Sequence, residues 1–229
     1  MFLDYLLDFI FPPKCVGCKK NVESEEVLCS ECFASLKINQ TLFCGKCRAR
    51  LPNSVKICHR DFPYILGAAT NYDGEIIKNT IHALKFRSVK SVAQPLAEIL
   101  IKYADSLDLS FKNFSIIPIP LSRNRLRKRG FNQSELISKI FSENFGLALE
   151  TDVLIRSKHT KPQSETRSLA ERKENVTLCF AVNGGLNITN KNIILIDDVT
   201  TSGATLLEAA KILKSAGAKK IVALTVAKA

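Results

Sequence analysis

The stretch that most constrains this 229-residue chain is Ile193-Ile194-Leu195-Ile196-Asp197-Asp198-Val199-Thr200-Thr201-Ser202-Gly203-Ala204-Thr205. Four aliphatic residues run without alternation into two carboxylates. A strand buried on both faces of a parallel sheet ends this way at its carboxyl edge. Thr200 to Thr205 then offer hydroxyls, backbone N–H groups and one glycine, and the apolar spacing from Leu206 to Leu213 is helical. Strand, small-residue loop and helix N-terminus together make an anion site, because unpaired N–H groups and the positive end of the helix dipole converge there. Asp197 and Asp198, just before the loop, suit vicinal hydroxyls or a hydrated magnesium ion. A ribose 5-phosphate would satisfy both halves.

The segment resembles the thirteen-residue phosphoribosyl-pyrophosphate (PRPP) motif of type I phosphoribosyltransferases: aliphatic residues, two acids, a hydrophobic residue and a Thr/Ser-Gly-x-Thr loop. The resemblance implies a PRPP site accompanied by magnesium. Asp197 and Asp198 would be the catalytic acids, and Thr201, Ser202, Gly203, Ala204 and Thr205 would take the 5-phosphate.

Seven of the eight cysteines lie between residues 15 and 58. No basic secretory start accompanies them, so metal is a better reading than disulfides. Cys15-x-x-Cys18 and Cys29-x-x-Cys32 have the two-residue gap that lets both sulfurs of a knuckle reach one ion, and zinc is the natural occupant. The spacing recurs 29 positions on with Cys44, Cys47 and Cys58, and Asp61 falls where a fourth cysteine is due. Either Asp61 or His59 can complete this second sphere, or the repeat has lost its metal. Pairing of knuckles across repeats also fits the spacings. Four thiolates leave no open coordination position, so the ribbons read as structural.

Composition shifts near residue 65, which divides the chain into an opening helix and double ribbon over 1–64 and an α/β domain over 65–229. The apolar opening, Met1 to Phe11, reads as a short amphipathic helix. No apolar run reaches the ~18 residues of a membrane span, and a cytoplasmic location is expected. Of the formal charge of +11, residues 1–64 supply nine Lys/Arg against seven Asp/Glu, so the surplus of +9 belongs to the larger part. Five of its cations fall within seven residues: Arg123, Arg125, Arg127, Lys128 and Arg129. This loop follows the strand Phe114–Pro120 and would face the same crevice as the phosphate loop. It suits a polyanion, pyrophosphate or nucleic acid. Phe131 and Phe86 are the stacking candidates. Lys85 and Arg87 read as cations at a helix C-terminus. The polar stretch Ser157–Asn175, with Arg172, reads as a lid, and Cys179 as a small buried hydrophobe.

The order of parts resembles the ComF family of competence-associated proteins (ComFC/GntX-like). Leu84-Lys85-Phe86, Pro118-Ile119-Pro120, Arg129-Gly130-Phe131-Asn132-Gln133, Glu171-Arg172-Lys173-Glu174-Asn175, the paired ribbons and the PRPP motif carry it. Asp61 departs from the family's usual cysteine. The resemblance implies a type I phosphoribosyltransferase-like parallel sheet flanked by helices behind an N-terminal zinc ribbon, and a role in DNA uptake with single-stranded DNA and a helicase-like partner. Arg129 and Arg172 would meet pyrophosphate. The part of the acceptor pocket that many phosphoribosyltransferases place after the PRPP helix is expected here from the N-terminal side.

Overall fold

A computed structural model describes residues 12–23, 26–51, 58–107, 109–156 and 180–229. The opening helix, the Ser157–Asn175 stretch with Arg172, and Cys179 lie outside the described residues.

The aliphatic run forms the core of β8 (Asn192–Thr200), second in length to none among the described strands. It lies between β9 (Lys220–Lys228) and β4 (Phe114–Pro118), both parallel to it, with Ile194 opposite Val222 on one side and Ile116 on the other. β3 (Ile65–Asn71) and β5 (Ala148–Leu149) extend the parallel set. Two faces must therefore be covered, and the residues alternate accordingly. After the short ribbon helix α1 (Ser30–Ala34), the long helices begin, and Ile194 and Ile196 enter the cluster built with α2 (Glu75–Phe86), α3 (Ala93–Asp105) and α5 (Gln133–Phe145). Ile193 and Leu195 enter the opposite cluster with α6 (Ala204–Ser215). All four are fully buried, each contributing about 1.5–3 kcal/mol of hydrophobic stabilisation.

The ribbon is not an outlying appendage. Its hairpin, β1 (Leu42–Cys44) and β2 (Arg50–Leu51), pairs antiparallel and then joins β3 through Phe43–Leu66 and Cys44–Ile65. One seven-stranded sheet results, ordered β2-β1-β3-β9-β8-β4-β5. The residue 64/65 position therefore marks a change of composition across which the sheet is continuous. A separate antiparallel pair joins β6 (Leu154–Arg156) to β7 (Phe180–Val182).

Two readings of local structure change. The strand continues past the acids to Thr200, because Val199 and Thr200 still pair with Ala227 and Lys228 of β9. The cation run is a helix, α4 (Arg123–Arg129), where a loop was expected. Ser122 caps it by accepting from Arg125 N–H, and Gly130 ends it at φ 79°, a left-handed conformation that glycine adopts without strain. Among the described residues no helix is long and apolar enough to cross a membrane.

Candidate functional site

Because β8 is parallel to its neighbours, its acids sit at the carboxyl edge, where helix starts and loops gather. The two carboxylates have different partners. Asp198 is buried, 2% exposed, and its Oδ1 pairs with Lys85 Nζ at 2.9 Å while accepting from Val199 N–H at 2.7 Å. Its Oδ2 is buried without a hydrogen-bond partner. Asp197, half-buried, accepts from Ser134 Oγ and from Asp198 N–H, both at 2.9 Å. Burial, reinforced by the adjacent Asp198 charge, pushes its carboxyl up to about 7 against the opposing pull of Lys85. Ser134 is placed by Asn132, which caps α5 through Ser134 N–H and donates to Ile119 O at 3.1 Å.

The loop follows at once. Thr200 Oγ1 is buried and unpartnered, Thr201 and Ser202 are exposed, and Gly203 turns at φ 79° into α6. Gly203 supplies no side-chain cap, although Ser202 Oγ accepts from Ala204 N–H at 3.4 Å. The first turn of a twelve-residue helix thus presents N–H groups beside the two acids.

Of the cation run, Arg123, Arg125, Arg127 and Lys128 are exposed, and Arg127 is held by Asn124 Oδ1 at 2.6 Å. Arg129 differs. It turns inward, donates to Gln133 Oε1, and lies in the field of Asp198, which counters the lowering of its guanidinium pKa by burial and Arg125. Its guanidinium also sits over Phe86, 5.8 Å from the ring centroid. Phe86 is 69% exposed and stacks on His82, whereas Phe131 is buried beneath Lys90 and is lost as a stacking surface. A separate cleft of about 460 Å³, lined by Leu107, Phe111 and Leu147 among others, opens at the other edge of the sheet and contains none of these residues.

Both cysteine groups assemble as repeats. The sulfurs of Cys15, Cys18, Cys29 and Cys32 lie within 4.8 Å of one another, so ligands come from within one repeat. In the second group Cys44, Cys47 and Cys58 gather with His59, whose Nδ1 is 3.4 Å from Cys44 Sγ and 3.3 Å from Cys58 Sγ. Asp61 is corrected to an exposed residue outside the group: the turn after Cys58 brings the imidazole, one residue on, to the sulfurs. Zn–S bonds of about 2.3 Å at tetrahedral angles separate sulfurs by about 3.8 Å. The observed Cys18–Cys29 and Cys47–Cys58 distances of 3.7 and 3.4 Å fit that geometry.

Sequence reasoning missed Ser134 and assigned Lys85 to the helix dipole. A signal for Lys85 existed: Ile77 and Ile81 are buried at four-residue spacing, and the next step lands on 85. It also missed Arg48, whose place just after the second knuckle matches that of Lys19 after the first and so gives no sign of a reach to the phosphate loop. Arg48 Nη2 donates to Thr201 O at 3.1 Å across 153 residues of chain.

A parallel sheet with an acid pair, a small-residue loop and a helix start at its carboxyl edge, extended by a cysteine-rich hairpin, defines a phosphoribosyltransferase-like domain behind a double zinc ribbon. Residues 6–60 match the family model of the double zinc ribbon domain, and residues 128–229 match that of the phosphoribosyl transferase domain. Competence protein F of Haemophilus influenzae is 27% identical over 91% of this chain and 93% of that one. DNA utilization protein YhgH of Salmonella typhimurium is 26% identical over 90% and 86%, and competence protein ComFC of Bacillus subtilis is 32% identical over 62% and 55%. The chain is thus similar to competence and DNA-utilization proteins over most of its length, and carries the two domain types side by side.

Proposed function

We propose that the chain binds PRPP with magnesium at the carboxyl edge of the sheet and serves DNA uptake through incoming single-stranded DNA, a reading supported by relatives named for competence and for DNA utilization. The observation that carries the ligand reading is a buried Asp198 with one unpartnered oxygen, set beside the open N–H groups at the start of α6. In this reading Asp197 and Asp198 take ribose hydroxyls or magnesium, and Thr201, Ser202, Gly203, Ala204 and Thr205 take the 5-phosphate. Arg129, with Arg172, meets pyrophosphate. Turnover is displacement at the ribose C1: the bond to pyrophosphate breaks with its electron pair, and an acceptor's lone pair forms the new bond. The transition state is oxocarbenium-like, so positioning and neutralisation of the leaving diphosphate do most of the work.

Calorimetry with millimolar PRPP, with and without magnesium, tests the reading. Asp197→Asn with Asp198→Asn abolishes the heat while leaving the thermal transition in place or raising it, as removal of a repelling site pair should. Gly203→Val disrupts binding as well, since a Cβ there would stand 2.6 Å from Arg48 Nη2 and 3.0 Å from Tyr64 Oη, and the left-handed backbone that shapes the loop is strained for a β-branched residue. No magnesium-dependent heat in the wild-type protein overturns the reading.

A second reading, a non-catalytic module for single-stranded DNA, is favoured by one observation: α4 carries four exposed cations beside the exposed Phe86. Backbone contacts then dominate and little sequence preference follows. A helicase-like partner and a cytoplasmic site of action belong to this reading.

A further inference from the structure

Arg48 belongs to the second ribbon, yet its guanidinium lies against the phosphate loop. Nη2 donates to Thr201 O, and a Cβ built on Gly203 would stand 2.6 Å from the same nitrogen. Nη1 is buried and has no hydrogen-bond partner. A buried cationic donor without an acceptor is costly unless an anion completes it. The loop it touches is the one whose helix start favours an anion.

The ribbon fixes this placement. Arg48 follows the ligand Cys47 and has φ 61°, a left-handed conformation unusual for a residue with a side chain. Its N–H bonds Cys44 O at 2.9 Å, and Cys44 N–H bonds Ala49 O at 2.8 Å. The first knuckle repeats the arrangement 29 residues earlier: Lys19 has φ 67°, its N–H bonds Cys15 O, and Cys15 N–H bonds Lys20 O. The strained position is thus part of the knuckle turn, which a metal on Cys44 and Cys47 would hold closed. Lys19 points its ammonium at its own knuckle, through Val16 O, while Arg48 reaches across to β8 and α6.

We infer that Arg48 is an anion-binding residue of the phosphate loop: it clasps the loop through Thr201 O and meets the 5-phosphate of the ligand, so the second ribbon's metal positions part of the ligand site. This rests on the PRPP reading above and adds a residue from outside the motif.

Calorimetry with three probes, PRPP, ribose 5-phosphate and inorganic pyrophosphate, tests it. Removal of a charge-assisted hydrogen bond predicts that Arg48→Ala weakens PRPP and ribose 5-phosphate about ten- to a hundredfold, while pyrophosphate, which lacks the 5-phosphate, changes less than about twofold. Arg48→Lys, keeping the charge without the planar fork, recovers part of the affinity. Lys19→Ala, at the matching position of the first knuckle, leaves all three unchanged. His59→Ala lowers zinc content by one ion per chain and reproduces the Arg48→Ala pattern. Wild-type protein that binds no PRPP overturns the PRPP reading and this inference with it. Wild-type binding with unchanged Arg48→Ala affinity overturns the inference alone, as does equal weakening of all three probes, which would make Arg48 only a clasp of the loop. One zinc lost from His59→Ala with PRPP affinity intact overturns the coupling to metal.

Discussion

Asp197 and Asp198 are neighbours in sequence with opposite electrostatic fates. Asp198 is neutralised by Lys85, while Asp197 has only neutral donors and is held up to about 7. A carboxyl whose folded value lies above its unfolded value near 4 binds more protons when folded, so the stability it contributes is present at low pH and is lost as pH rises through about 7. Between pH 4 and 7 the free wild-type protein should therefore lose stability relative to Asp197→Asn, by on the order of 1–2 kcal/mol for a half-buried site. Urea midpoints of the two proteins across that range check this; parallel curves would refute it. Lys85→Ala has the converse effect at neutral pH. It leaves a buried carboxylate without its cation, at a cost of about 1–3 kcal/mol given partial exposure of the lysine, and adding Asp198→Asn should recover most of the drop in the urea midpoint. The acids were legible because two adjacent carboxylates at the end of an aliphatic run repel each other and are hard to account for without a cation or a ligand. Their different partners were not, because Ser134 and Lys85 reach them from helices 63 and 113 residues away in sequence.

At the scale of elements, the aliphatic periods were the legible part. β8, β4 and α6 follow from aliphatic runs and spacings that burial in a parallel sheet and its covering helix satisfies. The cation run shows where pattern fails. Arg123 to Arg129 has one apolar residue, Leu126, and that is 43% exposed, so no hydrophobic period announces a helix. Caps at both ends decide it. As a helix, α4 displays its charges to solvent on one short rod, and only Arg129 at its end turns to the acids. The DNA reading accordingly separates the run into two groups. Replacing Arg123, Arg125 and Lys128 by Ala should weaken single-strand binding for every sequence and reduce the slope of log affinity against log salt by about 2, near 0.7 for each phosphate no longer neutralised. PRPP affinity should stay unchanged. Titration at several salt concentrations measures the slope, and an unchanged slope would show α4 to be a solvated face.

For the whole molecule, the ribbon is bound into the sheet at several points. β1 covers the edge of β3, Asn39 Nδ2 donates to Ala68 O at 2.8 Å, and Tyr103 Oη donates to Thr41 O at 2.7 Å. Leu42, Cys44, Leu51 and Ile65 form one buried cluster across the junction. The 29-residue repeat made the ribbons legible as metal modules, but nothing in it revealed a shared sheet, because strand pairing between units leaves no periodic trace in either. The consequence concerns chelation. Were the ribbon a tethered module, removing metal would unfold it and leave the larger part unaffected. Here loss of the second metal frees the knuckle that ends β1 and links it to β2, exposes the β3 edge and dissolves the junction cluster. Metal removal should therefore lower the main thermal transition itself, by several degrees for each kcal/mol or so of junction packing removed, and promote aggregation through the uncovered edge. Calorimetric scans with and without chelator distinguish the cases: a single transition shifted downward is expected, and an unshifted main transition after complete loss of zinc would show that the ribbon and the sheet fold independently.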